Sequence, residues 1–139
     1  MAAIATALRF TRKIDAPPEH LYHAFTTGMG LREWLAKVAD AQTEKLNFFH
    51  LIWEDGGQVS GQYHDLEENR ALRMTWRGLT DPDASTVRVG IEPQDGGSQL
   101  TLTHEFPARE GAWADVYARW EAGWPKALDN LEAVMTTGL

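Results

Sequence analysis

The apolar positions in the last part of the chain fall on one helical stripe. Trp113, Tyr117, Trp120, Trp124, Leu128, Leu131 and Met135 recur every three or four residues, the spacing of a single buried face on a long amphipathic helix. The spacing predicts a helix that begins near Ala112, after Pro107, and ends at Gly138. Pro125 lies inside it, where it removes the bond to the Glu121 carbonyl and predicts a kink.

Upstream the period changes to two. Leu8, Phe10 and Ile14 share one parity and Arg9, Thr11 and Lys13 the other, which reads as a strand with one wet face and Arg12 as its exception. Asp15-Ala16-Pro17-Pro18 stops it. Proline fits the first turn of a helix and Glu19 suits its positive end, so Leu21, Tyr22 and Phe25 become the buried face of a short helix to about Thr26. Gly28 and Gly30 are expected to break the chain before a second short helix, Leu31 to Leu35, that carries Trp34. Strands follow at Val38 to Gln42 (weakly patterned), Leu46 to Glu54, Gln58 to Leu66, Leu72 to Trp76, Val87 to Ile91 and Leu100 to Phe106. Asp55-Gly56-Gly57, Glu67-Glu68-Asn69-Arg70 and Asp95-Gly96-Gly97 are turns, and Gly78 to Ala84 is a loop. Such short connections pair neighbouring strands antiparallel. The expectation is an α+β protein, one domain over residues 1–139. A curved antiparallel sheet of about six strands wraps around the long C-terminal helix, with two short helices between strands one and two. A sheet curled over one aromatic helix can leave a cavity, and the functional reading starts from that cavity.

Composition narrows the classes. A chain of 139 residues with 43% hydrophobic and 24% charged residues suits one globular core. The formal net charge of −7 and the absence of a basic run in the sequence argue against a nucleic-acid partner and against anionic membranes. With no cysteine there is no disulfide, thiol nucleophile or thiolate metal site. No apolar run reaches the ~18 residues of a membrane span. The opening Met1-Ala2-Ala3-Ile4-Ala5-Thr6-Ala7 does not read as a signal peptide, so a cytoplasmic location is expected.

No catalytic motif emerges. His104 has the parity of Leu100 and Leu102 and should point at the helix, where it needs a tyrosine, carboxylate, water or ligand as partner. It is either a satisfied core histidine or a ligand contact. His50 and His64 are candidate cross-strand neighbours, although the run around His50 is apolar on both parities. No tight spacing of histidines supports a metal, and no cofactor is expected. His20 and His23 read as solvent-exposed. Arg32 and Glu33 beside Trp34 read as a wet helix face or as the mouth of the cavity. The Asp-Gly-Gly turns precede no helix and so do not cradle phosphate. Ser60 and Ser85 lack the glycine elbow of a serine nucleophile. Asp65, Glu67 and Glu68 read as a solvated turn.

Several stretches, in order, carry a resemblance. They are Ile14-Asp15-Ala16-Pro17-Pro18-Glu19, Trp34, Gly61, Leu72-Arg73-Met74-Thr75-Trp76, Ser85-Thr86-Val87, Leu100-Thr101-Leu102-Thr103-His104, and Gly123-Trp124-Pro125 ahead of Leu128-Asp129-Asn130-Leu131. The chain resembles the START-like helix-grip superfamily (SRPBCC), and within it the homologues of the activator of the heat-shock-protein-ninety ATPase. Where such relatives often carry paired glycines, at the start of the third strand, Leu46-Asn47-Phe48-Phe49 makes a bulkier edge. The resemblance implies a helix-grip fold and leaves function open among carriers, enzymes and co-chaperones.

The first functional reading is therefore a binding module for a small hydrophobic molecule. Its walls are Trp34, Phe49, Trp53, Tyr63, Met74, Trp76, Val89, Leu102, His104, Tyr117, Trp120 and Trp124, with polar orientation from His104, Tyr63 or Tyr117. The alternatives are an enzyme of cyclase or dehydratase type, with His104 or His64 as base, and a chaperone-interacting module. Monomer and homodimer are both left open.

Overall fold

The computed structural model describes residues 6–43 and 47–136. Strand β1 (Ala7–Ile14) leads into helices α1 (Pro18–Thr26) and α2 (Gly28–Trp34). Strands β2 (Val38–Gln42), β3 (Phe48–Ile52), β4 (Gln58–Glu67), β5 (Ala71–Gly78), β6 (Ser85–Gln94) and β7 (Gly97–Glu105) follow. A single 3₁₀ turn at Gly111–Trp113 then opens the long helix α3 (Ala114–Thr136). The strands make one antiparallel sheet in the order β1-β7-β6-β5-β4-β3-β2. The sheet has seven strands because the weakly patterned Val38–Gln42 segment forms its edge. β2 to β7 are a meander. β1 pairs with β7, not with β2, because the two short helices carry the chain from one edge of the sheet to the other. The expected helix end at Gly138 and strand start at Leu46 lie outside the described residues.

Period-two alternation decides which side chains face α3. β5 buries Leu72, Met74 and Trp76, β6 buries Val87, Val89 and Ile91, and β7 buries Leu100, Leu102 and His104. α3 answers with Val116, Trp120, Trp124, Ala127, Leu128 and Leu131. These join one continuous core reaching from Leu8 to Leu131.

Two expectations change. The glycines near residue 30 do not break the chain; both lie within α2. A Cβ on Gly30 would come within 2.5 Å of the His23 carbonyl and 2.8 Å of the Ala24 Cα, so glycine here permits α2 to pack directly on α1. The Thr27 hydroxyl caps the new helix by accepting from Gly30 N at 2.9 Å. Arg12, the parity exception of the first strand, turns inward toward α3. Its Nη1 meets Asp129 at 2.7 Å and Glu132 at 2.6 Å, and its Nη2 reaches the Pro125 carbonyl at 3.5 Å. An arginine on the core side of an edge strand thus serves as the clamp for the second half of the helix.

The edge strand β2 is covered as well. Arg32 Nη1 donates to the Ala39 carbonyl at 3.1 Å, which occupies an acceptor that an exposed sheet edge would offer to another chain. Opposite Phe49 in the register, Gly61 lies where any Cβ would collide with the Thr75 carbonyl and the Phe49 ring.

Trp124→Ala is expected to cost about 3–5 kcal/mol in urea unfolding, as for a fully buried aromatic; a loss below about 1 kcal/mol would contradict its place at the core. Gly61→Ala is expected to cost about 1–3 kcal/mol through overpacking, whereas Gly90→Ala, on the outer face with open space around it, should change stability by less than about 0.5 kcal/mol.

Candidate functional site: the aromatic grip and its mouth

Trp76 stands at the centre of the inner face and is fully buried. Four rings surround it. Trp120 and Trp124 of α3 lie at 5.1 Å each, Phe49 of β3 at 5.7 Å and His104 of β7 at 5.8 Å. The i, i+4 spacing of Trp120 and Trp124 puts both on one helical face, with their rings 5.3 Å apart. Phe106 stacks on the far side of His104 at 4.0 Å.

The polar atoms inside this cluster form one directed chain. Trp124 Nε1–H donates to His104 Nδ1 at 3.0 Å. An indole nitrogen can only donate, so Nδ1 is the unprotonated nitrogen and the proton sits on Nε2. Nε2–H then donates to Ser85 Oγ at 2.7 Å, and the serine hydroxyl donates to the Trp76 carbonyl at 3.0 Å. His104 is neutral, because burial pulls its pKa down to about 3. Both of its ring nitrogens have protein partners, which leaves none for a substrate proton. It is the satisfied core histidine of the two readings. Ser85, dismissed above as a nucleophile, is the partner that the sequence did not name. The available signal was a polar residue sharing the parity of Val87 and Val89 on a neighbouring strand.

Trp76 Nε1 differs from these atoms. It is buried and has no hydrogen-bond partner among the described residues.

The remaining predicted wall residues divide by position. Met74, Val89 and Leu102 are ordinary core side chains on the inner face. Tyr63 is buried with its ring 5.5 Å from Phe49, and its hydroxyl donates to the Phe25 carbonyl at 2.7 Å; burial raises its phenol pKa above the usual value. Trp34 donates from Nε1 to the Ala24 carbonyl at 3.0 Å and sets its ring edge against Phe25. Trp53 is half-buried, 5.9 Å from Trp120. Tyr117 lies at the other end, between Phe106 and the Arg109 guanidinium. The donors of His104 and Tyr63, two of the expected orienting groups, are therefore already committed within the fold.

A hollow of about 470 Å³ lies at the mouth of the grip, lined by Arg32, Glu33, Trp34, Leu35, Ala36, Lys37, Trp53, Glu54 and Asp55. Others, of about 590, 440 and 250 Å³, lie near the start of α1, on the outer face of the sheet, and beside His20 and His23. None of these four is lined by Trp76, His104, Trp120 or Trp124, whose rings stand against one another. His50 points outward, bonded to Gln58 Oε1 at 3.0 Å and paired across the sheet with Ser60, not His64. The apolar run around it is resolved by Phe49 and Leu51, which take the inner face. His20 and His23 are exposed. Among the described residues no cluster of three metal-binding side chains occurs, and no helix is long and apolar enough to cross a membrane.

An antiparallel sheet gripping one long C-terminal helix, with two short helices after the first strand, defines the helix-grip class. Residues 15–136 match the family model described as activator of Hsp90 ATPase homolog 1-like protein, and the chain belongs to that family. It is 30% identical over 98 residues to the activator of 90 kDa heat shock protein ATPase homolog 2 of Mus musculus, a match covering 69% of this chain and 29% of that protein. Homolog 1 of Homo sapiens is 26% identical over 87 residues, 61% of this chain and 25% of that one. The chain thus spans less than a third of the length of these curated relatives. Among solved structures, the protein MLL2253 from Mesorhizobium loti superposes with a TM-score of 0.82 at 25% identity, covering 96% of this chain and 98% of that one. The Aha1 dimer from Colwellia psychrerythraea shares the fold, with a TM-score of 0.80 at 18% identity over 95% of this chain and 97% of that one.

The neutral state of His104 has a pH signature. The unfolded chain protonates this ring near its ordinary value of 6.5, the folded chain only near about 3. Between these values the unfolded state binds more protons, so this contribution is present above about pH 6.5 and is lost as pH falls toward 3, with a slope of at most about 1.4 kcal/mol per pH unit. Urea unfolding at pH 4 to 7 (roughly that window) should show a steeper loss for the wild type than for His104→Phe. Parallel curves would mean that the histidine is not held neutral.

Proposed function

We propose that the chain binds a small, largely apolar molecule carrying one hydrogen-bond acceptor, held between the sheet and α3 against Trp76. The observation that carries this reading is the unpartnered Trp76 Nε1. A buried donor without an acceptor costs about 1–3 kcal/mol. No acceptor among the described residues lies within hydrogen-bonding reach of it, and the His104 ring nitrogens are taken by Trp124 and Ser85. An oxygen or nitrogen acceptor on a guest does relieve it, and the surrounding rings reward an apolar body. Trp34 and Trp53 at the mouth, with the Trp53–Trp120 ring contact behind them, form the gate. Swinging Trp120 outward opens room beside Trp76 without disturbing the His104 chain. Phe49, Met74, Val89, Leu102, His104 and Trp124 then wall the guest, Tyr63 closes one end, and Tyr117 the other. No separate base is required, which sets this reading apart from a cyclase or dehydratase.

Family membership favours a second reading, a chaperone-interacting module, which places function on the surface and needs no guest.

Nile red, an apolar dye with a carbonyl acceptor, tests the first reading. Saturable fluorescence enhancement is expected with the wild type, binding at least as tight with Trp120→Ala, and roughly tenfold weaker binding with Trp76→Phe, equivalent to about 1.4 kcal/mol. Absence of saturable binding to both the wild type and Trp120→Ala would overturn the guest-binding reading and leave the surface one.

A further inference from the structure

We infer that the outer face of the sheet carries a docking stripe for a short acidic segment of another protein. The strand register builds the stripe. Arg9 on β1 pairs with Thr103 on β7, Thr103 with Arg88 on β6, Arg88 with Arg73 on β5, and Arg73 with His64 on β4. These five positions come from separate parts of the sequence and lie in one row across five strands. At about 4.8 Å between strands the row is about 19 Å long, the span of roughly six extended residues.

Two observations point to an anionic occupant, and a third gives it room. Arg73 and Arg88 stand directly opposite one another, a like-charge pair that by itself disfavours the sheet. Each guanidinium is steadied through Nε only, Arg73 by Asp65 at 2.7 Å and Arg88 by Glu105 at 2.8 Å. Their terminal nitrogens have no partner among the described residues, so the ends that bind carboxylates in bidentate fashion are turned out already oriented. Beside the row lies a hollow of about 440 Å³ bordered by Arg73, Arg88, Thr101, Thr103 and Gly90, and also by Asp65 and Glu67, the first of them held by Arg73. Gly90 has nothing within 4 Å of where a Cβ would be, so an incoming chain can lie low there, with two threonine hydroxyls at hand.

The occupant is a short acidic protein segment that ends with the row, and not a nucleic acid or a membrane that extends beyond it. Asp65, Glu67, Glu92 and Glu105 share this exposed side of the sheet, and the chain carries a net charge of −7. A nucleic acid or an anionic membrane meets that repulsion over its whole length, whereas a few carboxylates at the spacing of the arginines do not. The stripe is on the face opposite the grip and does not depend on the guest-binding reading.

Fluorescence anisotropy of a fluorescein-labelled hexaglutamate peptide at low ionic strength tests the stripe, with hexaglutamine as control. The expected result is saturable, salt-sensitive binding of hexaglutamate that weakens at least tenfold in Arg73→Gln/Arg88→Gln and is unchanged in Arg119→Gln/Lys126→Gln on α3. Should the double variant melt early, Arg9→Gln and Arg88→Gln singly replace it, each expected to weaken binding several-fold. No binding to the wild type, equal loss in the α3 variant, equal binding of hexaglutamine, or tighter binding of duplex DNA would each overturn the inference.

Discussion

The fold depends on how an aromatic interior accommodates the polar atoms it cannot avoid. Trp124 brings an N–H donor to the centre of the molecule, and His104 and Ser85 exist there to receive it and pass the requirement on to a backbone carbonyl. The chain is directional because an indole can only donate. It therefore fixes the tautomer of the imidazole, the rotamer of the serine and the depth of the helix together. It ties α3 to three adjacent strands, and Arg12 ties the helix again further along, to the edge strand β1. Between these two anchors the apolar stripe has one way to lie.

Filling the grip with rings has a consequence for function. Phe49, at the bulky start of the third strand, packs against Tyr63 and Trp76, and α3 supplies two further indoles. On the proposed reading, a guest would meet one donor without an acceptor, Trp76 Nε1, behind aromatic side chains at the mouth.

The outer face obeys a different rule. Half-exposed threonines and arginines there are free of packing demands, and the sheet collects charges that are far apart in the chain. A protein that is acidic as a whole thereby concentrates three of its arginines, with a histidine at the end, along one line.

Much of the fold was legible because its signals are local. The alternation in β5 to β7, the Asp-Gly-Gly turns and the three-and-four spacing of the helical stripe each report a backbone period within a few residues. From them came the helix over the sheet and an inward His104. The readings that failed needed a distant partner. Gly28 and Gly30 looked like breaks because their role is to admit α1 and the β2 edge. His50 was undecidable because its strand is apolar on both parities. Arg12 looked anomalous until Asp129 and Glu132 stood opposite it. The sequence by itself determined which residues prefer to be inside and how often the chain must turn, since burial and turn geometry act over short spans. Only the tertiary structure decided that β1 closes on β7, that Ser85 and Trp124 satisfy His104, that Trp76 keeps an unanswered donor, and that Arg9, Arg88 and Arg73 share a row. Register and docking are set by contacts between segments far apart in the chain, which no local period records.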